Sequence, residues 1–336
     1  MGRESIRGKA PEDGLVLPVA HPEGEVVHPP HVGGIVFFEI RPVEEDQYLA
    51  LAYPEDDLLH PEGFGLPALS HRLKTHDIAV ENDGSVEIAS EKTLTYSGAE
   101  VSIGQNNLTM EGGGKLLNSS ALVLDDGQSD LTLDGIGQIN SVRVDADSAE
   151  GRGLELKKSV EITTLELNKA AGLSILEDAE LIGTVKLNSG SSLTSSGAGS
   201  LSSDIDLAGG LLKVSDTRSL PGTLSLSASS LVEVSGELTL SQSSGLGLGP
   251  HTLSLSGGGS LKILGNLKLD NELSELVLGG VTLDNVSSTS SSKGLRVTGS
   301  SSVTALTLLH PASLAVSEGT VLSGHVELGP NGELDL

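Results

Sequence analysis

The chain has 336 residues, no Cys, no Trp, 43 Gly and a formal net charge of −26. That length can bury a substantial core, and the missing Cys excludes a disulfide framework and a Cys-ligated zinc site while leaving the compartment open. The acidic balance speaks against nucleic acid and anionic membrane surfaces as partners, because phosphates are bound by clustered Lys and Arg.

At the amino end, Met1-Gly2-Arg3-Glu4-Ser5-Ile6-Arg7-Gly8-Lys9 is not followed by the apolar stretch of a signal peptide. Ile6 stands where a myristoylation motif wants Ser or Thr, and no window approaches the roughly 18 apolar residues of a membrane helix. Any export signal is therefore expected outside this chain or of another type.

Residues 1–75 differ in character from the rest. They hold most of the 13 Pro, all three Phe and two of the three Tyr, and no aromatic residue follows Tyr96. This break predicts a boundary near residue 75, with a Pro- and His-rich β module or linker before it. Gly34-Ile35-Val36-Phe37-Phe38-Glu39-Ile40 and Gln47-Tyr48-Leu49-Ala50-Leu51-Ala52-Tyr53 read as two strands around a polar turn. His28-Pro29-Pro30-His31 predicts extended, irregular backbone beside them.

From 76 to 336 the sequence repeats. The triplets Leu173-Ser174-Ile175, Leu193-Thr194-Ser195, Leu212-Lys213-Val214 and Val232-Glu233-Val234 recur about every 20 residues. Val185-Lys186-Leu187, Ile205-Asp206-Leu207 and Leu224-Ser225-Leu226 run in step with them. The phase lapses around 240–290 and returns at Leu295-Arg296-Val297 with Leu306-Thr307-Leu308, then Leu314-Ala315-Val316 with Val326-Glu327-Leu328, and finally Leu334-Asp335-Leu336.

Alternation puts Leu, Val and Ile on one side of a strand and Ser, Lys, Glu or Asp on the other. Clusters such as Asn188-Ser189-Gly190-Ser191-Ser192 supply corners. One such unit cannot bury its apolar side, so units must stack. The expected fold is all-β: a parallel β-helix, or β-solenoid, of about 20-residue rungs with two or three strands each. Roughly 13 rungs spaced about 4.8 Å apart would make a rod on the order of 60 Å long.

Two other architectures remain open at this point. Leu273-Ser274-Glu275-Leu276-Val277-Leu278-Gly279-Gly280-Val281 fits the opening of a leucine-rich repeat, with Val281 where Asn is expected and no amphipathic helix after it. Short strands with regular turns also suit an antiparallel sandwich or barrel. The final apolar triplet has no cap, so the solenoid is expected to be truncated there, or covered by a partner or another copy.

No residue is assigned a catalytic, cofactor-binding or metal-ligating role, although several groups invite it. Glycoside hydrolysis needs paired carboxyl groups, and within residues 76–336 Asp125 and Asp126 are the adjacent Asp pair, with Arg143 and Asp145 nearby in sequence. Asp125-Asp126-Gly127-Gln128-Ser129-Asp130 offers oxygen ligands for calcium but lacks the terminal Glu of an EF-hand, and reads better as a solvated turn. His21, His28 and His31 have zinc- or nickel-like chemistry, yet flanking Pro residues deny them a common helix. Sequons at Asn107, Asn118 and Asn285 would matter only in a eukaryotic secretory route.

Gly222-Thr223-Leu224-Ser225-Leu226 and His251-Thr252-Leu253-Ser254-Leu255-Ser256-Gly257-Gly258-Gly259-Ser260-Leu261 resemble the repeats of bacterial filamentous-haemagglutinin-like and autotransporter adhesins. The resemblance covers roughly residues 80–336 and is compositional. It implies a secreted or cell-surface rod that displays binding regions, and it identifies no receptor.

The expectation is thus a non-enzymatic structural and adhesive stalk without cofactors. Its partner would be a host or cell-surface ligand, or another part of the same longer polypeptide, with neither nucleic acid nor membrane insertion involved. The alternative is a carbohydrate-active β-helix enzyme, either a polysaccharide lyase, a glycoside hydrolase or a phage-tail-like depolymerase. Against it, Gly324-His325-Val326 breaks the Gly-His-Gly element of polygalacturonase-like enzymes, residues 76–336 contain no Arg-x-Lys, and the aromatic-free stretch lacks sugar-stacking platforms.

Overall fold

The computed structural model describes residues 83–333 in full, together with the backbone of the strands Val19–Ala20, Val26–Val27, Phe38–Ile40, Arg72–Leu73, Ile78–Val80 and Leu334–Asp335. The described chain winds as a parallel β-solenoid of about 12 turns, and no described residue is helical. Each turn lays down three strands separated by corners. The rod therefore has three flat faces, here called first, second and third in the order the chain visits them.

The first face is a sheet of 13 strands, running from Gly84–Glu87 through Asn107–Glu111, Asp130–Asp134 and Gly153–Leu156 up to Leu334–Asp335. The second face includes Thr93–Tyr96, Lys115–Asn118 and Glu237–Leu240, and the third includes Leu122–Leu124, Asp204–Ala208 and Leu267–Leu269. In several turns one long strand serves both of these faces. Val160–Leu167 and Glu180–Asn188 do so, with a register shift at the corner opposite Ile162 and Thr164.

That corner depends on a residue without a side chain. Gly183 has φ +119°, and a Cβ there would stand 1.9 Å from the Ile162 carbonyl oxygen, so only glycine lets the two backbones approach.

Parallel, in-register pairing stacks like on like. On the first face Leu108, Leu131, Leu154 and Leu173 form one inward column, and Met110, Leu133, Leu156 and Ile175 its neighbour. On the third face Leu122, Val142, Leu165, Val185, Ile205 and Leu224 succeed one another, as do Leu124, Val144, Leu167, Leu187 and Leu207. All of these side chains are buried, and with their second-face counterparts they form one continuous core. Each aliphatic side chain buried in this way contributes about 1.5–3 kcal/mol, and no single turn could bury them alone.

The parallel ladders replace the antiparallel alternative, and the leucine-rich reading fails as well. Within 273–281 the structured element is Glu275–Gly279, an ordinary first-face strand, and Val281 is buried.

The period is looser than the triplets suggest. Leu108, Leu131 and Leu154 are 23 residues apart, whereas Leu193 and Leu212 are 19 apart. The phase lost around 240–290 reflects turns that lengthen to 23 residues, since Val232 pairs with Leu255 and Leu253 with Leu276. Two triplet alignments are off by two residues. Leu193 stacks on Ala171 and Leu334 on Ala312, where the triplets would align them with Leu173 and Leu314. A shift of two keeps every side chain on its own side of the strand, so alternation could not detect it.

Phe38–Ile40, inside the first strand predicted for the amino-terminal region, pairs antiparallel with Ile78–Val80. The strand predicted over 47–53 lies outside the described residues. Arg72–Leu73 pairs in parallel with Thr95 and Tyr96, and Ile78–Val80 with Val101 and Ser102, continuing the second and third faces. At the other end, Val326 and Leu328 are exposed although they occupy the inward columns of Leu306 and Leu308.

Candidate functional site

The carboxylates singled out in the sequence lie along the edge where the third face turns toward the first. Asp125 follows Leu124 and Asp145 follows Val144, and those two residues are register partners, so the two acids sit one turn apart at equivalent positions. Arg143 lies in the adjacent outward position of the same strand, Gln138–Val144. Asp126 is one residue further round the corner. Three of the four candidates are thus brought onto one ridge.

Each of these acids is engaged within the rod. Asp125 accepts hydrogen bonds from the Ser102 hydroxyl at 2.5 Å and the Gly104 N–H at 2.9 Å. Asp126 accepts from the Gln128 N–H at 2.9 Å, and its own N–H donates to Ser129 Oγ at 3.1 Å, which closes the turn upon itself. Asp145 accepts from Arg143 Nε and Asn168 Nδ2, both at 2.7 Å. Arg143 reaches down to Glu100 as well, donating through both terminal nitrogens.

The ridge continues as a ladder. Asn188 Nδ2 donates to Asn168 Oδ1 and to Glu166 Oε1, each at 2.7 Å, and Lys186 Nζ is 3.7 Å from Glu166. Register puts Arg143, Glu166, Lys186 and Asp206 in one outward column, so the signs alternate from turn to turn. Opposite charges stacked across a sheet attract, whereas a like-charged column would repel.

The electrostatics follow from these contacts. Hydrogen bonding from Arg143 holds the Glu100 carboxyl below its ordinary range. Burial alone would raise Asp145, but hydrogen bonds from Arg143 and Asn168 outweigh it and hold it low too. Bonds to Glu100 and Asp145 in turn raise Arg143. A general acid at neutral pH needs a carboxyl pushed upward, so Glu100 and Asp145 are suited to ionic cross-linking rather than proton donation.

In the acidic turn 125–130, Asp130 accepts from the Gly153 N–H at 2.8 Å and is paired with Arg152, which also donates to Asn107 at 2.7 Å. Among the described residues no three His, Asp or Glu side chains are grouped to hold a metal ion. His21, His28 and His31 lie outside the described residues. Of the sequon residues, Asn118 is buried, donating to the Ser120 and Ser141 carbonyls at 2.7 Å, and Asn107 is half-buried, while Asn285 is exposed.

Further along the same edge the ridge opens into a shallow groove of about 570 Å³, walled by Gly190, Ser192, Gly209, Leu211, Ser229 and Thr252 among others. Its lining is small and weakly polar, without a charged group.

Sequence reasoning missed Glu100, Asn168 and Asn188 as members of this network. A signal existed: an acid or amide directly follows the third-face triplet at Asp125, Asp145, Asn168 and Asn188, and the run stops at Ala208. No family model matches the chain, and no curated protein and no solved structure matches it either.

Proposed function

We propose that the chain is a non-enzymatic structural and adhesive stalk of a secreted or cell-surface protein. The observation that carries this reading is the division of labour between inside and outside. The buried apolar residues form one core along the described rod, while outward cations pair with acids on neighbouring turns, Lys186 with Glu166, Lys213 with Glu233 and Arg296 with Glu275, and the excess of acids leaves the outside negative. A stack held in this way keeps its length and presents long, hydrophilic sides, as a spacer or display rod requires. The large negative charge works in the same direction by limiting self-association.

The test has two arms. Beads coated with the purified chain are expected to be retained saturably on cultured cells or matrix proteins, and to release no reducing ends from a panel of polysaccharides. Loss of retention on every surface would remove the adhesive part of the reading. Polysaccharide cleavage would replace it with the carbohydrate-active alternative.

A further inference from the structure

The first face is laddered without interruption through its 13 strands, but the other two faces are not. Taking the carboxyl end as up, Ser200–Leu201 on the second face pairs only downward with Glu180–Asn188, and Arg218–Leu220 pairs only upward with Glu237–Leu240. On the third face Leu224–Ala228 pairs only downward with Asp204–Ala208, and Leu246–Gly247 only upward with Leu267–Leu269.

Both gaps touch a single turn. Its second-face strand belongs to the turns above and its third-face strand to the turns below. The chain crosses between them at Pro221-Gly222. Pro221 has no N–H to offer a ladder, and Gly222 passes so close to the turn beneath that a Cβ would stand 2.3 Å from the Ser203 carbonyl oxygen.

Side chains occupy the places that the backbone vacates. Arg218, buried in an inward position, donates to the carbonyls of Gly197 at 2.5 Å and Gly199 at 3.0 Å on the turn below. Gln242, also buried, accepts from the Leu224 N–H at 2.6 Å and donates to the Gly245 carbonyl at 2.9 Å. On the intact first face Leu211–Val214 pairs with both Ser192–Ser196 and Ser230–Val234, and Lys213 lies 3.5 Å from Glu233.

We propose that this turn is a built-in joint, in which the first-face ladder is the hinge line and the second and third faces can part. In a stack where each turn touches only its neighbours, stability is a sum of turn and interface terms. The two interfaces of this turn each lack one of their three ladders, the lower one on the second face and the upper one on the third, and the seam that joins these gaps is the one that opens first. The rod then behaves as two cooperative units, one on each side of Pro221-Gly222, and bends toward its first face. This holds whether or not the rod serves as a stalk.

Native-state hydrogen exchange of the full chain across a denaturant series tests the joint. The expected result is that amides below and above the seam lose protection in two separate steps. The Leu224 amide and those of 243–247 should exchange at least about tenfold faster than the third-face amides of Glu180–Asn188. Replacing Gln242→Leu removes the side-chain acceptor and donor, and should speed exchange at those seam positions by a further factor of about ten while leaving 138–188 unchanged. A single concerted step for both sides in the unaltered chain would overturn the proposal. So would a Gln242→Leu chain whose seam amides exchange at the original rate.

Discussion

Two stretches of the rod, 138–188 and 197–246, are built from the same kind of triplet and yet are held together differently. In the first, single strands sweep across two faces, every face is laddered to the turn above and below, and the outer edge carries the continuous chain from Arg143 and Asp145 through Asn168 to Asn188. In the second, the amide ladder ends at Ala208, two faces each lack one backbone pairing between neighbouring turns, and Arg218 and Gln242 substitute for it. The inward residues remain apolar through most of both. The contrast teaches that a buried aliphatic column is enough to wind a turn, while the backbone ladders decide how firmly one turn grips the next.

The largest expected effect comes from cavities cut on either side of that contrast. Leu165 is fully buried in the laddered stretch, and Leu165→Ala should cost about 3 kcal/mol in urea unfolding followed by circular dichroism. Leu226, only partly buried beside the third-face gap, should cost about 1 kcal/mol as Leu226→Ala. Equal losses would erase the distinction between the two stretches.

A somewhat smaller effect is expected at Arg218. Burial lowers its affinity for the proton, and its Nε has no partner, so the guanidinium is retained for the two carbonyls it caps. Arg218→Ala leaves those carbonyls uncapped above a void and should cost about 2–3 kcal/mol, whereas Arg218→Met fills the space and should stay within about 1 kcal/mol of the original. If both variants lose stability alike, the hydrogen bonds matter more than the packing.

The smallest effect is the response to acid. Asp145 in the laddered stretch, Glu100 bound to that stretch through Arg143, and Asp204 beside the seam all have depressed carboxyl pKa values in the folded chain, Asp204 through bonds from the Thr223 backbone and hydroxyl. A depressed folded value means that their contribution is present above the unfolded value near 4 and is lost as pH falls through the folded one. Because Asp145 is partly exposed, its share should be under about 1 kcal/mol. Asp145→Asn should flatten the decline of stability below about pH 4, and an unchanged decline would assign the acid sensitivity elsewhere.

Much of this architecture was legible in the chain. Alternation at Val185-Lys186-Leu187, Ile205-Asp206-Leu207 and Leu224-Ser225-Leu226 predicted third-face stacking that the register reproduces residue for residue. Those triplets are readable because a buried column tolerates only apolar side chains, and because parallel strands repeat it at nearly constant intervals. The seam was not legible, since Leu212-Lys213-Val214 and Leu224-Ser225-Leu226 look like any other triplets and only Pro221 hinted at a break.

By itself, then, the amino-acid order determined the inward and outward sides of each strand, the repeat and the solenoid class, all of which depend on which residues water excludes. Tertiary structure decided what depends on neighbours one turn away. It set the two-residue shifts at Leu193 and Leu334, the acids and amides that meet along the edge, and the turn where Arg218 and Gln242 stand in for backbone. Hydrophobic pattern specifies a side of the strand, but hydrogen-bond partners are chosen only when a particular turn comes to rest on another.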